Sequence, residues 1–253
     1  MYEKLNNIVQ GNDELPNPNS LRTIQNSILL DVDYGISQRL TLSGSLPIQF
    51  VDGNTPFLNG KISGIGDISL LGRYKVIHPV FKTAPTVSLN FGFRIPTGSI
   101  DKQISGVRLP DRTHLGSGIF GLLWGAEGFY RPWKKVSFFG NISTRISLGE
   151  NKFDYKVGND FQISWGSSYN ALKWLDLTSQ VNYVYFATNK IKGQTDESTG
   201  GKLLYLTPGI QFSWSDNLFF RTQVRFLLYK NIEGLQFLSD QTLVTNVGYK
   251  FLL

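Results

Sequence analysis

The chain has 253 residues, of which 13% are aromatic and only 17% are charged, whereas soluble domains usually carry roughly 25% charged residues. With 0 Cys, disulfides, thiolate catalysis and sulfur-ligated metals are excluded. The net charge is +6, but Lys and Arg are scattered rather than clustered, which argues against nucleic-acid binding. The longest apolar runs, such as Ile119 to Trp124, are far shorter than the roughly 20 residues of a spanning helix. Strands must therefore make any membrane crossing.

Taken in chain order, the sequence opens with Met1-Tyr2-Glu3-Lys4, where no apolar signal-peptide segment is visible. We expect a mature or shortened chain, with residues 1–10 as a partial first strand. The Pro- and Asn-rich segment Gly11 to Ser20 predicts a loop. A strand from about Arg22 to Tyr34 follows, and Gly35 to Arg39 predicts a tight turn in which Gly35 takes a positive φ.

Apolar and polar residues then alternate in one segment after another, as in strands with one apolar face. The predicted strands cover approximately residues 1–10, 22–34, 40–49, 68–76, 86–95, 120–130, 136–148, 161–169, 175–185, 204–214, 218–228 and 243–253. We predict an all-β fold and a single domain over residues 1–253, because a β-barrel of this length is routinely one domain.

Short and long connections alternate strictly between these strands. The short ones are Gly35 to Arg39, His78 to Ala84, Arg131 to Lys135, Asn170 to Trp174 and Ser215 to Asn217. The long ones are Gly11 to Ser20, Val51 to Ile65, Thr97 to His114, Gly149 to Asn159, Thr188 to Lys202 and Lys230 to Asp240. Outer-membrane barrels have short periplasmic turns and long external loops, so the pattern predicts an up-and-down antiparallel barrel of about twelve strands.

The two faces of the predicted strands differ in a way that favours a membrane. The apolar face carries no Asp, Glu, Lys or Arg, and the other face is rich in Gly, Ser, Thr, Asn and Gln. Aromatic residues stand at the ends of the apolar face: Tyr34, Phe50, Tyr74, Trp165, Tyr169 and Trp214. Such a girdle is typical of the headgroup level. We therefore predict an outer-membrane location with membrane lipids and lipopolysaccharide as partners; the alternative is a soluble sandwich or a lipid-binding barrel.

Three motifs carry a resemblance to a known family. They are Asp33-Tyr34-Gly35-Ile36-Ser37-Gln38-Arg39-Leu40 with Ser45-Leu46-Pro47, Ser63-Gly64-Ile65-Gly66-Asp67-Ile68, and Phe93-Arg94-Ile95-Pro96-Thr97-Gly98. In this order they resemble the bacterial outer-membrane family of meta-pathway phenol-degradation transporters. The resemblance implies an outer-membrane barrel that passes small, aromatic solutes, and it supplies no catalytic residues. On physical grounds the Gly and Pro residues of these motifs mark turns and strand ends. In the alternative, functional interpretation, Asp67 lines an entry site.

Other candidate chemistry is weak. Gly116-Ser117-Gly118-Ile119-Phe120-Gly121 matches a dinucleotide-binding pattern, but the required strand before it and helix after it are missing, so it predicts a loop entering a strand. The only histidines, His78 and His114, lie in different connections and cannot pair easily. His114 with Asp101 and Asp111 is the one rim cluster that a barrel hydrolase could use, and we predict no catalytic residue, no metal and no cofactor.

Charges on the polar face are the best candidates for function. The lumen and selectivity candidates are Asp67, Arg73, Arg94, Glu127, Arg145, Arg221, Gln223 and Arg225. In one interpretation, these charges form paired networks, because unpaired buried charges are costly. In the other, Arg94, Arg145, Arg221 and Arg225 form a basic ladder that favours anionic or phenolate-like solutes.

These observations predict a passive channel for small solutes, aromatic or anionic, that is not an enzyme and binds no nucleic acid. The alternative is a non-transporting scaffold that binds a protein partner through the long loops Thr97 to His114 and Thr188 to Lys202. A barrel hydrolase is the third hypothesis.

Overall fold

Alternating sequence patterns become a closed antiparallel barrel in the computed structural model, which describes residues 1–56, 58–77, 84–104, 106–215 and 217–251. Its strands are β1 Tyr2–Leu5, β2 Asn7–Gly11, β3 Asp13–Leu15, β4 Arg22–Gly35, β5 Leu40–Thr55, β6 Leu58–Ile65, β7 Ile68–Ile77, β8 Thr86–Ile95, β9 Gln103–Ile104, β10 Val107–Arg108, β11 Phe120–Trp133, β12 Val136–Leu148, β13 Tyr155–Lys156, β14 Asp160–Leu172, β15 Leu175–Phe186, β16 Lys190–Ile191, β17 Gln194–Thr195, β18 Gly201–Ser213, β19 Leu218–Leu238 and β20 Gln241–Tyr249. One turn of 3₁₀ helix covers Asp111–Thr113.

Twelve of these strands form the barrel wall. Their order around the ring is β1, β4, β5, β7, β8, β11, β12, β14, β15, β18, β19 and β20, and β20 pairs with β1 to close it. Every neighbouring pair in the ring is antiparallel. The predicted twelve-stranded barrel is confirmed. Among the described residues, no helix has the length and apolar character needed to cross a membrane.

Two of the predicted long loops are largely β-structure. β5 continues to Thr55 and pairs with β6 from Thr55–Leu58 down to Ile48–Ile65, so the segment Val51 to Ile65 is a hairpin that extends the wall. Likewise, the segment Lys230 to Asp240 lies mostly within β19. Alternation did not reveal these extensions, because above the membrane neither face of a strand has to be apolar.

The first strand and the last strand form the seam of the barrel. Tyr2 pairs with Leu243 and Glu3 with Thr242, and the same register resumes from Asn7–Leu238 to Gln10–Leu235. The register between β19 and β2 shifts between Ile232 and Leu235, where Gly234 has a φ of 60°. The residues after this turn therefore continue into β20 as the partner of the N-terminal strand.

The turn after β4 follows the prediction in place but not in conformation. Ile36 N and Ser37 N both donate to Leu40 O, so the chain reverses between Gly35 and Leu40 as predicted. Gly35 itself pairs with Thr41 as a strand residue and is absent from the glycines with positive φ. The predicted positive φ of Gly35 is therefore wrong. Ser37 stabilises the turn instead, because its Oγ accepts a hydrogen bond from Leu40 N at 3.0 Å. The predicted turn at His78 and the final residue Leu253 lie outside the described residues.

Side chains on the two faces of the wall have opposite character. Outward-pointing residues are large, apolar and exposed, and include the predicted girdle Tyr34, Phe50, Tyr74, Trp165, Tyr169 and Trp214. Inward-pointing positions include the buried polar residues Ser88, Ser137, Ser164, Asn182, Thr207 and Thr242. An apolar exterior around a polar interior is the arrangement of a membrane barrel, and it argues against the soluble alternatives.

The long loops pack against one another and against the extended walls. Leu58 and Ile62 of β6 form a buried cluster with Leu109 and Leu115 of the 96–119 loop. A second cluster joins Val9 to Leu203, Ile232 and Leu238. β13 from the 149–159 loop and β16–β17 from the 187–200 loop form a small sheet of their own. The long-loop end is therefore a folded layer.

Candidate functional site

Most of the predicted site residues point into the barrel. Arg73 pairs with Asn90, and Glu127 pairs with Asn141 and Ser88, all on the inward face. Arg94, Arg145, Arg221, Gln223 and Arg225 occupy inward positions on β8, β12 and β19. These side chains are half-buried. The strand period of two places them there, since their neighbours along each strand face lipid.

Three of the arginines are neutralised by carboxylates. Arg73 Nε lies 2.8 Å from Glu127 Oε1, Arg94 Nε lies 3.3 Å from Asp67 Oδ2, and Arg145 forms an ion pair with Asp160. Arg145 and Asp160 are direct cross-strand partners on β12 and β14. Because opposite charges compensate each other, these pairs contribute little net field to the lumen.

Arg221 and Arg225 differ from these three. Within the described part of the chain, neither has a carboxylate at ion-pair distance. Arg221 Nε donates to Gln211 Oε1 at 2.9 Å and its guanidinium carbon lies 5.7 Å from the centre of the Phe219 ring. The Arg225 guanidinium carbon lies 5.3 Å from the centre of the Tyr205 ring. Both cations thus keep their charge beside an aromatic face.

Aromatic residues also line the lumen at positions that the sequence analysis passed over. Phe129 and Phe139 are direct cross-strand partners on β11 and β12, at inward positions. Phe139 covers Gly166, where an added Cβ would approach the ring within 2.6 Å. Strict alternation along β12 places Phe139 on the same face as Ser137 and Asn141, so this signal was available. Two bulky rings therefore occupy adjacent inward positions.

Asp67 does not line an entry site as one alternative predicted. Its side chain has 0% exposure because the 96–119 loop covers it. The carboxylate accepts hydrogen bonds from Gly98 N at 3.0 Å, Ser117 N at 2.9 Å and Ser117 Oγ at 2.7 Å. It therefore fastens both ends of the loop to the wall, and its charge is balanced by Arg94.

The glycine motifs make this attachment possible. A Cβ on Gly98 would lie 2.5 Å from Gly116 Cα, and one on Gly66 would lie 3.1 Å from Leu115 O. Only glycine allows the backbones to approach so closely. The Gly116-Ser117-Gly118 segment thus binds a carboxylate of its own chain, in keeping with its prediction as a loop entering β11.

His114 makes no hydrogen bond to Asp101 or Asp111 in the described structure. Neither ring nitrogen of His114 has a hydrogen-bond partner among the described residues, and Asp111 is engaged by Arg108 at 2.5 Å. Burial, together with the charge of Arg108, holds the pKa of His114 below its usual value. Within the described ranges, no three His, Asp, Glu or Cys side chains are grouped as metal ligands. His78 lies outside the described residues.

Comparisons with solved structures place the fold among outer-membrane channels. The chain is similar to the COG4313 outer membrane channel from Pseudomonas putida F1, with 14% identity, a TM-score of 0.77 and coverage of 98% of this chain and 91% of that one. It is also similar to the NanC porin, with 10% identity, a TM-score of 0.54 and 99% coverage of both chains. These likenesses confirm the predicted outer-membrane barrel fold.

Comparisons by sequence give the family. No curated protein matches the chain. A family model does match, over residues 19–233, which includes all three motifs that carried the resemblance and extends far beyond them. The chain belongs to the family described as "Putative MetA-pathway of phenol degradation".

Proposed function

We propose that the protein is a passive channel through the outer membrane for small solutes, and that its lumen favours aromatic anions. Three facts support a channel: the polar interior, the barrel fold, and the solved structures of similar fold, which are described as an outer membrane channel and a porin. The family description, which refers to phenol degradation, supports an aromatic solute.

One observation carries the solute preference. Arg221 and Arg225 face the lumen with no carboxylate at ion-pair distance in the described structure, and each lies beside an aromatic ring. A planar aromatic carboxylate or phenolate fits this arrangement, because the cation attracts its charge while the neighbouring ring contacts its apolar face. Arg94 and Arg145 contribute less to the field, since Asp67 and Asp160 compensate them. Of the four arginines of the predicted basic ladder, Arg221 and Arg225 on β19 therefore carry the proposed preference for anions.

The test is an ion-preference measurement in planar bilayers. The double variant R221Q/R225Q should lose much of the preference for anions, read as a shift of the reversal potential in a salt gradient. The double variant K190Q/K192Q removes the same charge from the exposed β16–β17 hairpin and should retain it. The channel hypothesis is refuted if the folded wild-type barrel carries no current and admits no benzoate into liposomes. If R221Q/R225Q conducts with an unchanged preference for anions, only the role of the two arginines is refuted.

A scaffold remains the second candidate because of one structural feature. The β16–β17 hairpin exposes the six residues Lys190, Ile191, Lys192, Gly193, Gln194 and Thr195 in succession, and Ile191 is an unusual apolar residue for such a tip. The predicted partner loop Thr97 to His114, in contrast, is packed onto β6 and Asp67. Deletion of the hairpin tip should abolish recovery of a crosslinked envelope protein if the scaffold hypothesis is right, and should leave conductance unchanged.

A further inference from the structure

A cluster of basic side chains lies at the short-turn end of one sector of the barrel. Arg131 lies near the end of β11, Lys134 and Lys135 form the β11–β12 connection, Lys173 belongs to the β14–β15 connection, and all four are exposed. We call them the basic rim. The β11–β12 connection contacts the end of β14, since Asn170 N donates to Lys135 O at 2.7 Å. No Asp or Glu occurs in residues 130–136 or 169–175, so the rim has one sign of charge.

The basic rim adjoins the outward-facing aromatic belt. Trp133 and Trp174, next to Lys134 and Lys173 in sequence, are 62% and 51% exposed. Lys135 Nζ lies 6.0 Å from the centre of the Tyr169 ring, and Tyr169 is an outward-facing girdle residue. Long basic side chains beside interfacial Trp and Tyr extend their charge to the headgroup level while their methylene stems cover apolar surface. The cations therefore lie at the depth of lipid phosphates.

Aromatic packing makes the same sector a firm platform. Phe138 packs against Trp133 at 6.3 Å between ring centres and stacks on Trp165 at 6.3 Å. Trp174 stacks on Phe212 at 5.9 Å. Neighbouring rings hold each other in place on the lipid-facing side, so the adjacent cations are presented from an ordered surface.

The nearby acidic group is turned away from this surface. Asp176 follows the β14–β15 connection but occupies an inward position, where it pairs with Gln211 and accepts from Asn170 Nδ2 at 2.9 Å. The neighbouring β18–β19 connection carries one acidic residue, Asp216, which lies outside the described residues. Asp176 is thus directed to the lumen, whereas Lys135 lies on the membrane side beside Tyr169.

We propose that the basic rim binds acidic phospholipids of the periplasmic leaflet, by contact of Arg131, Lys134, Lys135 and Lys173 with the phosphodiester groups. Short turns of such barrels face the periplasm, which identifies the leaflet. A lipid suits this site better than an acidic soluble protein, because the cations flank residues that contact acyl chains. Electrostatic attraction of this kind grows with each basic residue near the surface and weakens with salt.

The test is lipid retention by native mass spectrometry. Refolded wild-type protein, incubated with equal amounts of phosphatidylglycerol and phosphatidylcholine, should retain phosphatidylglycerol preferentially. The triple variant K134Q/K135Q/K173Q should reduce that preference by on the order of a hundredfold, on the scale of about fivefold for each of the three removed cations. Heat-modifiable gel mobility verifies that each barrel is folded. If the triple variant does not refold, K173Q alone should reduce the preference for phosphatidylglycerol several-fold.

The matched control removes three lysines from the loop layer. K156Q/K190Q/K192Q alters the small sheet in which Lys156 pairs with Lys190, and it should keep the wild-type preference. Equal retention of the two lipids by wild-type protein would overturn the proposal, even if an acidic soluble protein bound instead. An equal loss in the control variant would also overturn it, because net charge and not the rim would then set the preference.

Discussion

Asp67 and Ser117 lie 50 positions apart in the chain, and the carboxylate of Asp67 accepts both the backbone N–H and the hydroxyl of Ser117, at 2.9 and 2.7 Å. Gly98 N, from the other end of the same loop, donates to the second carboxylate oxygen at 3.0 Å. One buried side chain therefore holds the beginning and the end of the 96–119 loop on the barrel wall.

The substitution Asp67→Ala should release this loop. It leaves two backbone donors and Arg94 without their acceptor, and removing one partner of a buried charged network costs on the order of 3–5 kcal/mol. We expect the amides of Gly98 and Ser117 to lose their protection from hydrogen exchange while the amides of β12 keep theirs. The matched control is Asp101→Ala, because Asp101 makes an exposed ion pair with Lys152 at 3.7 Å and accepts an exposed hydrogen bond from Ser99 Oγ at 2.9 Å, and an exposed ion pair contributes at most about 1 kcal/mol. Equal protection in wild type and Asp67→Ala would contradict the prediction.

Removal of the lumen phenylalanines should widen the channel. The double variant F129A/F139A deletes two adjacent inward rings, so single-channel conductance should rise above that of the wild type in planar bilayers. Phe91→Ala is the matched control, since Phe91 lies on the outward face and is 55% exposed. It should leave conductance unchanged. If F129A/F139A conducts no better than Phe91→Ala, these rings do not limit the lumen.

Two glycines of neighbouring strands should respond differently to alanine. A Cβ on Gly92 would lie 2.1 Å from Leu70 O, whereas a Cβ on Gly128 would meet only Thr86 O, at 4.0 Å. Gly92→Ala should therefore destabilise the barrel by on the order of 1–3 kcal/mol, seen as a lower urea midpoint of the refolded protein. Gly128→Ala should be close to neutral, and similar midpoints for both variants would argue against the tight β7–β8 contact.

Acid should loosen the loop around His114. Burial, followed by the charge of Arg108, lowers the pKa of His114, and Asp111 and Asp101 oppose this only in part. The opened loop has the ordinary value of about 6.5 and so binds more protons near that pH than the closed loop. The free energy that favours the closed loop therefore has its full value above about pH 6.5 and decreases as the pH falls below that value.

Hydrogen-exchange protection factors of the 96–119 loop measure this dependence. Between about pH 7 and about pH 5, protection in the wild type should fall after correction for intrinsic exchange, and His114→Gln should flatten the curve. An equal decline in His114→Gln would assign the acid response to other groups.

The barrel could be predicted from the sequence because the bilayer imposes a strict rule on each strand. Leu40, Leu42 and Leu46 alternate with Thr41, Ser43 and Ser45, since one face must be apolar and the other line a polar interior. Above the membrane a strand does not need one apolar face, so the alternation predicts a loop where the structure has the β5–β6 extension. Its pairing depends on contacts such as that of Leu58 with Leu109, which no local pattern encodes.

The candidate site could be predicted in position but not in its charge balance. Alternation predicts inward positions for Arg94, Arg145, Arg221 and Arg225, and the strand pairing has them on that face. It could not reveal that Asp160 lies opposite Arg145 while no described carboxylate lies opposite Arg221, because cross-strand register depends on the whole ring. For the same reason, no local pattern indicated that Ser117 covers Asp67.

The seam between β1 and β20 sets the order in which this barrel can be completed. Nearly every other pair of wall neighbours is joined by a hairpin connection and can form as soon as both strands exist. Tyr2 and Leu243, in contrast, are separated by almost the whole chain, and contacts of such long range form slowly because the intervening segment must first be confined. Until the last strand has been supplied, the wall remains an open sheet with two free edges. Assistance that protects those edges from pairing with other chains would act at this step.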